Sequence, residues 1–131
     1  MRCKVTFGLT LLMAVSIGSR VASAHHSYSA FDTQRLVTLE GTIEEFSFVN
    51  PHVLVVIKTK DSQTYRAEFP SIAVLSRGDF TRTSLKPGDV VVMSGRPKKD
   101  PTDHVVSLMT EIHRPSDGWH WSPTLTSFGL R

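Results

Sequence analysis

The chain has 131 residues, 40% of them hydrophobic, with 15 basic and 12 acidic side chains and a net charge of +3. This length fits one compact domain, and the composition excludes a collagen-like or disordered chain. Three of the basic residues, Arg2, Lys4 and Arg20, lie in the first 24 residues, which contain no acidic residue, so residues 25–131 are neutral. The excess of positive charge that would indicate a nucleic-acid or acidic-membrane partner is therefore absent from residues 25–131.

Residues 1–24 have the three parts of a secretory signal peptide. Two basic residues begin it, the apolar run VTFGLTLLMAVSI follows at residues 5–17, and Ala22-Ser23-Ala24 forms a cleavage site. The apolar run is shorter than the roughly 20 residues that span a bilayer, and no second run follows. We therefore predict a soluble periplasmic or secreted protein without a membrane span. The single cysteine, Cys3, lies in the leader, so the mature chain has no disulfide.

The first half of the mature chain predicts three consecutive strands. Residues 35–48 alternate apolar and polar, and the alternation changes phase at Glu44-Glu45, which indicates a β-bulge in one bent strand. The run VLVVI at 53–57 is typical of a strand buried on both faces. After a hairpin turn, residues 65–69 alternate again and predict the third strand.

The second half predicts a short helix and two more strands. Ser71 is placed to cap a helix over 72–77, with Gly78 as its C-terminal stop. Pro87-Gly88 is typical of the centre of a type II turn.

The two remaining strands are predicted at 90–93, broken at Gly95 and Pro97, and at 104–112. From Arg114 onward we expect an irregular tail in which two tryptophans lie back on the barrel or are disordered.

Three strands, a helix and two strands predict an all-β protein, a small five-stranded barrel of the OB-fold type with a short helix between strands 3 and 4. An immunoglobulin-like sandwich is the alternative, but it requires about seven strands. The predicted organisation is a signal peptide at 1–24, the barrel domain at 25–113 and a tail at 114–131.

The histidines at the predicted cleavage site are the main candidate for chemistry. Cleavage after Ala24 makes His25 the first residue, and its α-amine and imidazole then chelate one metal ion together. His52, after Asn50-Pro51 at the mouth of strand 2, is the candidate third nitrogen, and His26 is a secondary ligand. Copper(II) prefers such tetragonal nitrogen sites. The predicted metal residues are thus His25, His26 and His52.

Cleavage after Ser23 would give a different site at the same place. The mature chain would then begin Ala24-His25-His26, and the amine, two amides and one imidazole form a square-planar copper site. The plain alternative is that both histidines are polar residues on a frayed terminus.

The remaining candidates are weaker. We expect surface roles for the other histidines and core packing for the strand methionines and the aromatic rings. Glu44 and Glu45 are adjacent in a strand and point to opposite faces, so they do not form an acid–base pair. The residues concerned are His104, His113, His120, Met93, Met109, Tyr65, Phe69 and Phe80.

Four segments together resemble a family of small exported bacterial proteins catalogued only as a domain of unknown function. They are Ala24-His25-His26-Ser27, Leu39-Glu40-Gly41-Thr42, Asn50-Pro51-His52 and Leu85-Lys86-Pro87-Gly88-Asp89. The resemblance covers roughly residues 24–112 and implies a periplasmic β-barrel domain without an established activity. The chain departs from the family in having Gly78-Asp79-Phe80 where relatives tend to a Gly-Trp pair.

We expect a periplasmic copper-binding protein that binds its metal without catalysing a reaction. The alternatives are a metal-independent module for an envelope protein or a saccharide, and an oxidative enzyme that uses the same copper site.

Overall fold

Six strands and one short helix form the part of the chain that the computed structural model describes, residues 28–124. The sheet order is β3-β2-β1-β4-β5-β6, and a parallel pairing of β3 with β5 closes the first five strands into a barrel with β6 outside it. This confirms the predicted five-stranded barrel with a helix between strands 3 and 4. The elements are β1 (Val37–Ser47), β2 (Val53–Thr59), β3 (Thr64–Phe69), α1 (Ile72–Ser76), β4 (Val90–Pro97), β5 (Val105–Arg114) and β6 (Trp119–Trp121).

The predicted bulge in β1 is present and lets one strand serve two neighbours. Ile43 pairs with Ile57, but the next pair joins Glu45 to Val56, so Glu44 is the extra residue. The first half of β1 pairs with β4 and the second half with β2. A bulge bends a strand and increases its twist, which a small barrel needs in order to close.

The inward faces of the strands supply the core, and β2 shows the alternation most clearly. Val53, Val55 and Ile57 are fully buried, whereas Leu54 and Val56 are half-buried on the outer face. The prediction that β2 is buried on both faces is therefore wrong. The run is apolar throughout, but the outer face of this barrel strand is only partly covered.

An aromatic cluster fills the barrel beneath β6. The Phe80 ring lies at its centre, with five ring centroids 5.2–6.3 Å away, those of Phe46, Phe48, Phe69, Trp119 and Trp121. Core packing was predicted for Phe69 and Phe80 and is confirmed. Tyr65 is elsewhere, stacked on His104 with the centroids 4.7 Å apart.

The start of α1 is capped from a distant loop. The Ser71 side chain makes no capping hydrogen bond, contrary to the prediction. Asn50, before β2, accepts a hydrogen bond at Oδ1 from the Ile72 amide at 3.1 Å. After the helix, the residue with left-handed backbone is Asp79 (φ 59°), so Gly78 is not the conformational stop. No helix within residues 28–124 is long and apolar enough to cross a membrane.

The Pro87-Gly88 turn is present as predicted. Gly88 has a φ of 93°, and the Asp89 amide donates to the Lys86 carbonyl at 3.2 Å. A positive φ at the third residue is the requirement of a type II turn, and glycine meets it without strain.

The last two strands run further than the sequence predicted. β4 continues through Gly95, where the register with β5 shifts, so its predicted end at Met93 is corrected. An added Cβ at Gly95 would lie 2.9 Å from the Ser107 carbonyl oxygen, so only glycine lets the two strands approach there. The tail predicted to be irregular forms β6 at Trp119–Trp121, with Trp121 fully buried.

Candidate functional site

A cavity of about 360 Å³ opens at the seam where β3 and β5 separate. Its lining is mostly apolar and comes from four parts of the chain. These are the N-terminal 3₁₀ turn and Phe31, the loop before β2, the segment from the end of β3 into α1, and the middle of β5. The lining residues are Tyr28, Phe31, Pro51, His52, Glu68, Phe69, Pro70, Ser71, Val74, Ser107, Leu108 and Met109.

The cavity exists because the barrel seam is short. The parallel pairing joins Arg66 to Val105 and Ala67 to Val106 and then stops. Leu108 has a φ of 48°, a left-handed conformation that is unfavourable for a side chain of this kind. The two strands therefore diverge just beyond the last pair. Just beyond that pair, the Ser107 hydroxyl donates a 3.4 Å hydrogen bond to the Glu68 carbonyl.

His52 is the one predicted metal residue that lies within the described part of the chain. Its ring is half-buried at the cavity, and Nδ1 lies 3.3 Å from the Phe69 carbonyl oxygen. A carbonyl oxygen only accepts, so this contact favours the tautomer with the proton on Nδ1 and the lone pair on Nε2. Metal-binding histidines are commonly oriented in this way, by donating the second ring N–H to a carbonyl oxygen.

His25 and His26, the other predicted ligands, lie outside the described residues. Tyr28 follows His25 by three residues and lines the same cavity as His52.

The described residues do not form a complete metal centre by themselves. Within 28–124 no group of three or more His, Cys, Asp or Glu side chains is arranged to hold a metal ion. A metal ion at His52 would therefore need further ligands from outside the described residues or from solvent. Met93 and Met109 are buried core residues, as predicted, although Met109 also reaches the cavity wall.

A separate, polar site surrounds Arg114, where β5 ends. Its Nη1 donates to Asp89 Oδ2 at 2.7 Å and to the Ser84 carbonyl at 2.8 Å, while Nε and Nη2 donate to the two Asp117 oxygens at 3.0 and 2.8 Å. The hydrogen bond from Arg114 holds the pKa of Asp117 below its usual value, and the same bond raises the pKa of Arg114. Because four of the five guanidinium N–H groups donate to acceptors of the protein, we interpret this site as a structural clamp.

Several residues of the cavity were not predicted from the sequence. Tyr28, Phe31, Ser107 and Leu108 carry no motif, and they meet only because the strands diverge after Ala67. The structure also pairs His113 directly with His120 across β5 and β6. The sequence predicted separate surface positions for these two histidines because it did not predict β6.

Comparison with known proteins adds one match. A model of the family of unknown function DUF6152 matches residues 13–107. The match includes the predicted ligands His25, His26 and His52 and most of the cavity lining, and it ends before β6. None of the curated proteins compared with the chain matches it.

Proposed function

The chain belongs to this family of unknown function, DUF6152, and we propose that it is an exported periplasmic protein that binds copper through its mature N-terminus. His25 supplies its α-amine and imidazole, and His52 supplies one imidazole nitrogen. The observation that carries the proposal is the position of His52, held by the Phe69 carbonyl at a cavity that Tyr28 also lines. His26 is a secondary ligand.

The chemistry of these groups fits copper better than other divalent ions. An N-terminal amine and its own imidazole form a chelate, and a second imidazole completes three nitrogen ligands around Cu(II), which favours tetragonal nitrogen sites and heads the affinity order. Cleavage after Ser23 would instead give the amine–amide–imidazole site, with His52 no longer needed. Export is supported by the leader-like sequence of residues 1–24.

The test is a titration of Cu(II) into the correctly processed protein, followed by electron paramagnetic resonance. We expect the first equivalent to bind with an axial, nitrogen-rich signal that His25→Ala abolishes and His52→Ala changes. His104→Ala is the matched control, since His104 lies away from the cavity and stacks on Tyr65. An additional methionine before His25 removes the amine–imidazole chelate of His25 and places His26 third, so the signal should change to that of the amine–amide–imidazole site.

Two outcomes distinguish the forms of the proposal. A signal of the first equivalent that survives both His25→Ala and His26→Ala contradicts copper binding at the N-terminus altogether. A signal that needs His26 but is unchanged by His25→Ala and His52→Ala supports the alternative cleavage site. Mass spectrometry of the exported protein gives the first residue independently.

The cavity favours one alternative, a metal-independent module that binds a saccharide or an envelope component. Its volume is within the range of small-ligand sites. Aromatic side chains and a few polar groups line it, as sugar rings require. Under this alternative, Tyr28→Ala lowers binding to glycan arrays while His25→Ala and chelators have no effect.

A further inference from the structure

The hairpin of β5 and β6 places two histidines side by side. His113 and His120 are direct partners in the antiparallel register, between the pairs Ile112–Trp121 and Arg114–Trp119. Directly opposed residues have their Cβ atoms about 4.5–5.5 Å apart. The two imidazoles therefore stand at a spacing from which both reach one ion.

Both histidines belong to the outer face of the sheet. Successive side chains of a strand point to opposite faces, and the flanking pair of Ile112 and Trp121 is fully buried. His120 is exposed and His113 is half-buried. An ion from solvent therefore has access to both rings.

The hairpin is fixed before any ion binds. The Gly118 amide donates to the Arg114 carbonyl at 3.0 Å across the turn, and the Arg114 side chain holds Asp117. Arg114 alternates with His113, so its guanidinium lies on the opposite face and does not repel a cation bound by the histidines. A fixed pair of ligands loses little conformational entropy on binding.

We propose that His113 and His120 form a two-imidazole site for a divalent transition metal, with Cu(II) as the ion bound most tightly. Neutral imidazole is a ligand for copper, nickel and zinc, and the affinity order places copper first. Within residues 28–124 no third protein ligand joins the pair, so water completes the coordination. The site needs neither a free N-terminal amine nor His52, and it is independent of the function proposed above.

A metal ion at this position would hold an edge strand in place. β6 is three residues long and pairs with β5 alone, yet it carries Trp121 into the aromatic cluster. A ligand that binds only the folded form stabilises it, so the ion would stabilise the pairing of β6 with β5.

The test is the addition of copper(II) chloride to the purified protein while ¹H–¹⁵N spectra are recorded. We expect the amide signals around His113 and His120 to broaden together. Either His113→Gln or His120→Gln removes this effect at both positions and weakens binding about a hundredfold, because the second imidazole no longer binds as part of a chelate. His104→Gln is the matched control and changes nothing.

Thermal melting gives a second measurement. Without metal, His120→Gln melts at the temperature of the wild type, because its side chain is exposed. Copper raises the melting temperature of the wild type more than that of His120→Gln. If His120→Gln leaves the broadening around His113 unchanged, the two rings bind separately and the proposal is wrong. Broadening here that persists in His25→Ala and His52→Ala separates this site from the N-terminal one.

Discussion

Phe69 lies between two regions of the barrel that differ in how tightly they are packed. One side packs on Phe80 and Trp121 in the aromatic cluster, and the other lines the open cavity. In the cluster, rings contact rings and exclude water. At the cavity, the same barrel leaves about 360 Å³ unfilled beside His52. The aromatic cluster therefore holds the barrel together, whereas the cavity is open for binding.

The difference arises from how far each strand pairing runs. β6 extends the sheet over the cluster and adds Trp121 to it, whereas the β3–β5 pairing stops after two residue pairs. Leu108 then adopts a left-handed backbone without being glycine. Such residues persist only where the surroundings impose them, and they are often found at binding sites. The strained position in β5 therefore belongs to the open region.

The largest expected effect comes from emptying the centre of the cluster. Phe80→Ala removes a fully buried ring that contacts five others, and we expect a loss of about 3–5 kcal/mol in unfolding free energy. Tyr28→Ala, at the cavity, removes a ring that is 58% exposed and should change stability by no more than about 0.5 kcal/mol. Urea unfolding measures both, and similar losses would contradict the division between the regions.

A smaller effect is expected at the clamp beside the cluster. The Arg114 guanidinium lies 5.7 Å from the Trp119 ring centroid and holds Asp89 and Asp117. Arg114→Gln should cost about 1–2 kcal/mol at neutral pH, because charged hydrogen bonds are lost and the Ser84 carbonyl loses its donor. Arg66→Gln, whose partner Glu68 lies 3.7 Å away on the surface, is the control and should be nearly neutral.

The cost of Arg114→Gln should depend on pH with a definite sign. Arg114 lowers the pKa of Asp117 in the folded protein, so this pair stabilises the fold above the unfolded-state value near 3.8. That contribution is lost as the pH falls through the lower folded-state pKa. Urea unfolding from pH 7 to pH 2 should show the gap between wild type and variant narrowing below about pH 4. A constant gap would mean that Asp117 adds nothing.

The sequence predicted the barrel well because its signals are local. The phase change at Glu44 marks the β1 bulge, and Pro87-Gly88 marks the turn before β4. The strand at Trp119–Trp121 was not predicted, since three residues carry too little alternation to identify a strand. The pairing of His113 with His120 therefore could not be predicted, although the sequence predicts surface roles for both histidines.

The cavity could be predicted only in part for a similar reason. His52 was identified from the Asn50-Pro51-His52 segment, and the structure places it at the cavity. The opening beside it depends on where the β3–β5 pairing ends, which is a property of two distant segments. Leu108 is not glycine, so the sequence does not mark its left-handed backbone.

The smallest expected effect distinguishes a cap predicted from the sequence from the one in the structure. Asn50→Ala removes the oxygen that accepts from the Ile72 amide and should cost about 1 kcal/mol of unfolding free energy. Ser71→Ala removes a hydroxyl that caps nothing and should cost no more than about 0.5 kcal/mol. Both residues adjoin the loop at the cavity, so urea unfolding of the two variants compares two substitutions in similar surroundings. The reverse order would show that Ser71 caps α1 in solution, and that the loop carrying His52 is held less firmly than the Asn50 contact indicates.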